Sequence, residues 1–185
     1  MKNVKYVHRL KSQKLLFKKL KKTFSLLHLI HSDVCDMHGN PIKGSKKYFV
    51  TFIDPFSTYC YVYLLHSKDQ VLDKFKIYET EVENFCDTKI KCLRSDKGGE
   101  CVFSEFCEYV GIVHETNIAY TPQQNDVAER KNRTLIEMIN VMLFNAGLGK
   151  RFWGEAILTA CHSLNRVPNK KKKSDPLWIM EKEKA

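Results

Sequence analysis

The chain has 185 residues, 43% of them hydrophobic, with 31 Lys and Arg against 21 Asp and Glu and a net charge of +10. That is enough apolar mass for one domain with its own core, while no run approaches the ~18 apolar residues of a membrane span. Lysines break up the N-terminal apolar clusters, which excludes a secretory signal there, and the seven cysteines, odd in number and without a C-x-x-C pair, point to reduced intracellular thiols rather than a disulfide framework or zinc ribbon.

The charge is unevenly placed. Nine of the 31 bases lie in residues 1–22 and no acid precedes Asp33, leaving 22 bases against 21 acids in the rest. Affinity for a polyanion, nucleic acid above all, is therefore expected from a basic arm and local clusters. Residues 1–25 form a linker-like segment in which Leu10, Leu15, Leu16, Phe17 and Leu20 alternate with lysines. It reads equally as a DNA-binding arm, a nuclear import signal around Lys18 to Lys22, a membrane-surface helix or a solvated linker, with His8 a surface residue.

Residues 26–36 are the first strand, an apolar run that ends on a polar Ser-Asp pair. A turn at 39–44 leads to a second strand, 48–54, and Pro55-Phe56-Ser57 links it to a third, 59–66. So short a link implies an antiparallel hairpin, and both strands are rich in aromatic and β-branched residues. Ser67-Lys-Asp-Gln70 has the pattern of a capping box. The following helix places Val71, Phe75, Tyr78, Val82 and Phe85 on one face.

Ile90, Cys92 and Leu93 make a fourth strand that stops at Arg94-Ser-Asp96-Lys-Gly-Gly99, where the glycines permit a sharp turn. A short helix, 104–110, ends at Gly111, and 112–114 is a fifth strand. Pro122 then enforces a loop, and Asn125 or Asp126 caps a long helix with its core side at Leu135, Met138, Ile139, Met142 and Leu143. Gly147 stops it, and a last amphipathic helix runs from Phe152 to about Asn165. Lys170 to Lys173 open a basic tail, 169–185. This order of elements describes a mixed α/β sheet, with the core at 26–168.

Three carboxylates stand out by position: Asp33 at the end of strand one, Asp96 at the end of strand four, and Glu129 on the long helix. Neighbouring strands one and four would bring both aspartates to one edge, and the helix packed across it would add the third ligand. Oxygen donors select Mg²⁺ or Mn²⁺, with two ions ~3.5–4 Å apart in such a cluster. No Ser, His or Cys nucleophile is then required. Gln123, Gln124, Asn125, Arg130, Lys131, Asn132 and Arg133 surround Glu129 in sequence and suit contacts to DNA. Asn132 and Arg133, at i+3 and i+4, share its face; the plainer reading of Glu129 and Arg133 is a solvated i,i+4 ion pair.

The strings HSDVCDM, KKYFVTFID, CLRSDKGGE, YTPQQNDVAERKNRTL and FWGEAILTACHSLNRVP, in this order, resemble the integrase region of copia-type long-terminal-repeat retrotransposons, within the Pol polyprotein. The resemblance covers residues ~26–180 and implies an α/β, ribonuclease-H-like fold: a mixed five-stranded sheet flanked by helices. It assigns a D-D-E site to Asp33, Asp96 and Glu129, two Mg²⁺ (or Mn²⁺) ions, and 3′-end processing and strand transfer of element DNA into target DNA. A homo-oligomer acting in the nucleus, with no membrane partner, is implied with it.

Several positions depart from that pattern. No counterpart of the family's upstream His-His-Cys-Cys module is present, so no zinc site is expected. The family's Asn-Gly ahead of the catalytic helix is here Asn125-Asp126, its FIDD-[FY]-SR is Phe52-Ile53-Asp54-Pro55-Phe56-Ser57-Thr58, and the Asp96–Glu129 interval is short. The chain begins with Met and stops soon after the core, as a stand-alone frame from a decayed element would. A second reading, from a different class, is a non-catalytic remnant that keeps the fold and at most binds nucleic acid.

Overall fold

The sheet is built around β1, Leu29–Asp36, which pairs antiparallel with β2, Tyr48–Ile53, and parallel with β4, Cys92–Ser95. β3, Cys60–Leu65, forms the expected hairpin with β2, and β5, Val113–Thr116, lies parallel beside β4. The strand order is β3-β2-β1-β4-β5. The computed structural model describes residues 25–37, 42, 45–95, 100–116, 126–168 and 175–182. The basic segment 1–24, most of the turn at 39–44, Asp96 with Gly98 and Gly99, Gln123, Gln124, Asn125 and the lysines 170–173 lie outside the described residues.

The helices divide between the two faces of the sheet. On one side, α1, Val71–Cys86, and α2, Glu100–Val110, cover Ile30, Val50, Phe52 and Leu93 with Phe75, Tyr78, Val82, Phe103 and Cys107. On the other, α3, Asp126–Asn145, and α4, Trp153–Leu164, cover Phe49 and Ile53 with Leu135, Ile139, Leu143, Trp153 and Ile157. Alternation along β2 makes this possible: Val50 and Phe52 point one way, Phe49, Thr51 and Ile53 the other. A strand buried on both faces reads as a continuous apolar run, as Tyr48–Ile53 does.

The stripe Val71, Phe75, Tyr78, Val82 is buried as its spacing predicts. The start of α1 differs from expectation. A 3-10 turn, Lys68–Gln70, precedes it and makes Gln70 the N-cap, while Ser67 forms no side-chain cap bond. Gln70 Oε1 instead accepts from His66 N–H at 2.8 Å, so the reciprocal capping box does not form. Gly111 (φ 81°) and Gly147 (φ 64°) follow α2 and α3 in the left-handed conformation that stops a helix.

Residues 176–182, read from sequence as part of a basic tail, form a helix, α5, Pro176–Lys182. Ile179 and Met180 are buried, and Met180 joins the α1–α2 side of the core. Asp175-Pro176 is a helix-start pair, with proline where its missing N–H costs nothing. Leu177 N–H donates to Asn165 O at 3.0 Å, which ties α5 to the end of α4.

Asn165 also closes the sheet's edge. Cys60 N–H donates to Asn165 Oδ1 at 3.0 Å, and Asn165 Nδ2 donates to Cys60 O at 2.8 Å. One buried side-chain amide thus replaces the strand that β3 lacks on its outer side. Cys161 Sγ adds a bond to Cys60 O at 3.0 Å.

Candidate active site

Asp33 lies within β1, three residues before the strand's end, on the face that α3 covers. Its backbone is paired with Thr51, whose Oγ1 donates to Asp33 O at 3.4 Å. Its carboxylate is half-buried and is met by α3: Asn132 Nδ2 donates to Asp33 Oδ2 at 2.9 Å. The helix is held there by Ala128, Leu135, Ile139 and Leu143, all buried. Asn132 falls between Ala128 and Leu135 at the same spacing of four and three, so it occupies a core position and is only 3% exposed. This corrects the sequence reading, which set Asn132 on an exposed, DNA-facing side. The periodicity held the signal, and the polarity of asparagine masked it.

Glu129 is three residues before Asn132, about 4.5 Å along the helix axis, and is exposed. α3 therefore presents Glu129 close to the point where it touches Asp33. Lys131 is half-buried and donates to Thr58 O at 3.2 Å, pinning the first half of α3 to the β2–β3 link. That link is tight: Ser57 N–H and Oγ–H both donate to Asp54 Oδ2 at 2.6 Å, an Asp-centred turn. Arg133 is exposed. Among the described residues, the i,i+4 ion pair of this helix is Asp126–Arg130 at 2.7 Å, not Glu129–Arg133.

Asp96 lies outside the described residues, but the strand that leads to it does not. Ser32 and Ser95 are register partners across the parallel β1–β4 pair, each immediately preceding one of the aspartates. Ser95 is fixed further by His114: Ser95 Oγ and His114 Nε2 are 2.8 Å apart, and His114 Nδ1 is 3.0 Å from Ser104 Oγ of α2. Among the described residues no group of three His, Cys, Asp or Glu side chains is gathered as a metal site.

The electrostatics behind Asp33 are unusual for a sheet face. Cys35, next on the same face, has its thiol pKa pushed up to about 12 by burial and then by the Asp33 charge, with the Asn132 amide opposing. On the other side of Asp33 runs a row of polar register partners, His31 on β1, Arg94 on β4 and Glu115 on β5. Arg94 donates through Nε at 2.9 Å and Nη2 at 2.5 Å to Glu115 Oε2. His31 is held down to about 4 by burial and then by the Arg94 charge, so its imidazole is neutral near pH 7. His31 Nδ1 and Asn132 Oδ1 are buried without a hydrogen-bond partner among the described residues. Sequence reasoning missed this row because only cross-strand register brings the three residues together.

A mixed five-stranded sheet in this order, with helices on both faces and an acid on its central strand beneath a long helix, has the ribonuclease-H-like architecture of integrase catalytic cores. Residues 27–122 match the integrase core domain family, and the chain belongs to that family. The match spans Asp33 and Asp96 and ends before Glu129.

The chain is 47% identical over 148 residues to the retrovirus-related Pol polyprotein from transposon TNT 1-94 of Nicotiana tabacum, covering 78% of this chain and 11% of that protein. It is 38% identical over 145 residues to the Pol polyprotein from transposon RE2 of Arabidopsis thaliana, covering 77% and 10%. It thus spans about a tenth of the length of these relatives. Among solved structures, the HTLV-2 integrase catalytic core domain in complex with magnesium (trimeric form) aligns with a TM-score of 0.63 at 19% identity, covering 83% of this chain and 95% of that one. A simian T-cell lymphotropic virus intasome in complex with a PP2A regulatory subunit, B56 gamma, aligns at 0.69 with 15% identity, covering 85% and 55%. At these identities the structures share the fold.

Proposed function

We propose that this chain is the catalytic core of a copia-type retrotransposon integrase, a metal-dependent polynucleotidyl transferase that processes element 3′ ends and joins them to target DNA in the nucleus. The observation that carries the reading is the 2.9 Å bond from Asn132 to Asp33, which brings the Glu129 helix onto the strand bearing the first acid. The Ser32–Ser95 register supports Asp96 as the third member, since each serine is followed in the chain by an aspartate. The donors are oxygens, and the buried Asn132 Oδ1 beside Asp33, without a bond partner among the described residues, adds to a polar environment that suits Mg²⁺ or Mn²⁺. Asp33, Asp96 and Glu129 would hold the ions, which when bound supply activation of the attacking hydroxyl and stabilisation of the leaving oxygen.

The chain's own residues orient and bind. Asn132 holds the Asp33 carboxylate in one rotamer, and Lys131 fixes the pitch of α3 against the β2–β3 link. Arg133 is exposed one turn beyond Glu129 and suits a phosphate of the bound DNA, with Gln123, Gln124 and Asn125 ahead of the helix as further contacts. Assembly on two DNA ends calls for a homo-oligomer.

The second reading, a remnant that binds DNA without cutting it, is favoured by one observation. Asp126 opens α3 and pairs with Arg130, which places an extra negative charge near the site and occupies a cation suited to phosphate. A Mn²⁺-dependent nicking and disintegration assay on branched DNA separates the two. Cleavage by the wild type that Glu129→Gln abolishes supports the catalytic reading; equal signals from the two proteins refute it, and DNA binding alone then leaves the remnant.

A further inference from the structure

Four cations that the proposed site leaves unused meet where β1 finishes and α4 begins. Lys46 and Lys47 precede β2, and Lys150 and Arg151 lie in the 3-10 turn, Lys150–Phe152, that leads into α4. Backbone bonds fix the first pair: Ile42 N–H donates to Lys46 O at 3.1 Å, and Met37 N–H donates to Lys47 O at 3.0 Å. The seat between the two pairs is apolar. Ile42 rests on Gly154 so closely that a Cβ there would collide with Ile42 Cδ1, and the rings of Phe49 and Trp153 are 6.3 Å apart. Strand alternation puts Lys47 on the same side as Phe49, towards the start of α4. Lys47, Lys150 and Arg151 are exposed and Lys46 is half-buried. None of the four forms an ion pair with another described residue.

The local fold gives no reason for the second pair. A helix N-terminus carries partial positive charge, so cations placed there oppose α4 rather than support it. Glu155, exposed in the first turn of α4, forms no ion pair with either of them. The Arg151 guanidinium instead lies 5.1 Å from the Phe152 ring centroid, which keeps it spread on the surface. Charges held this way suit an anion from outside the chain. Met37 is four residues beyond Asp33, about 13 Å along β1, and Lys47 is bonded to it. Phosphates along one DNA strand repeat about every 3.4 Å, so a duplex with one phosphate at Asp33 reaches the cluster about four base pairs further on.

We propose that Lys46, Lys47, Lys150 and Arg151 form a second DNA-binding surface, which holds the duplex backbone about four base pairs from the reacting phosphate. The position of that phosphate rests on the proposed function. The binding requires neither metal nor catalysis.

Filter binding to a duplex of about 20 base pairs, without divalent metal and at several salt concentrations, tests the surface, with thermal melting to establish that each variant is folded. Lys46→Gln/Lys47→Gln and Lys150→Gln/Arg151→Gln each make log affinity fall less steeply with log salt, by about two, and all four together by about four. Lys46→Arg/Lys47→Arg keeps the wild-type slope. So does Lys76→Gln/Lys91→Gln, which removes the same charge from α1 and from the start of β4, at the opposite end of the sheet. An unchanged slope in both glutamine pairs, or an equal fall in the Lys76/Lys91 variant, overturns the proposal. On branched DNA, the hydroxyl-radical protection that the fourfold variant loses is expected about four base pairs from the branch point, and a loss elsewhere overturns the placement. Nicking that survives Glu129→Gln while the glutamine pairs still flatten the slope refutes the catalytic reading and keeps the surface, so the two fail separately.

Discussion

The two faces of the sheet are built from different materials. Against α1 and α2, the buried residues are apolar apart from Ser32 and Glu83, the latter bonded to Ile90 N–H, and Phe75 lies 5.5 to 6.3 Å from the rings of Phe52, Phe103, Phe106 and Tyr78. Against α3, the β2–β3 half is apolar apart from Thr51, whose hydroxyl donates to Asp33 O, but the β1–β4–β5 half buries His31, Glu115 and Asn132, with Asp33 at its front. Burying polar groups costs stability unless each is bonded, and here two polar atoms have no bond partner among the described residues. The apolar face therefore carries the fold, and the polar half-face holds the candidate site at some expense to it. Substitutions on the first should cost stability whatever they do to activity. Substitutions on the second should do the reverse.

The strongest test of that division is Phe75→Ala. Removing a ring that is fully buried among four others leaves a cavity and is expected to destabilise the protein by about 3–5 kcal/mol. Urea unfolding measures it; a loss below about 1 kcal/mol would mean that the α1 layer is not the main core. Next is Asn165→Ala, which leaves the buried N–H of Cys60 without its acceptor and its carbonyl with only the Cys161 thiol. About 2–3 kcal/mol is expected, with faster hydrogen exchange at Cys60, since a buried orphan group forfeits its full solvation. Unchanged exchange at that amide would show that the edge of β3 is closed by something else.

How much of this was legible beforehand follows from the range of each interaction. The β2–β3 hairpin, the α1 stripe and the helix stops at Gly111 and Gly147 rest on local periodicity and backbone conformation, and sequence carries those directly. α5 escaped because seven residues are too few for a period to emerge. At the site, Asp33 and Glu129 were singled out as isolated acids, and the contact that brings strand and helix together runs through Asn132, whose place in the apolar stripe was countable but contrary to its polarity. The Arg94–Glu115 pair was not countable at all, since it depends on β4 and β5 aligning in one register and no other.

Asn132→Leu sharpens the comparison between faces. The substitution removes one hydrogen bond to a carboxylate that water can re-solvate, and it removes an amide oxygen that has no partner among the described residues. Leucine at a 3% exposed position of the α3 stripe offsets that loss, so stability should change by no more than about 1 kcal/mol. Activity should fall by about 10–100-fold, the range for losing a partner that orients a metal-binding carboxylate. Unfolding and nicking measured on one preparation decide it: parallel losses, or none in nicking, would remove Asn132 from the positioning role.

The smallest effect is expected at Asp126, and it asks whether the site's first turn favours DNA or the free helix. Asp126 and Arg130 are 53% and 64% exposed, so their pair is solvated and screened. Asp126→Asn keeps a side chain able to cap the helix while removing the charge, at about 0.5 kcal/mol or less. The gain should appear in DNA binding. Arg130 keeps the bond from Nε to Asp126 O but loses its ion pair, so Nη2 becomes available to a phosphate, and one more such contact steepens the dependence of log affinity on log salt by about one. Fluorescence anisotropy with a short duplex at several salt concentrations reads that slope. A steeper slope with tighter binding at low salt means that Asp126 restrains DNA binding through Arg130. An unchanged slope means that Arg130 faces away from the DNA, and the polar half-face then ends at Glu129 and Arg133.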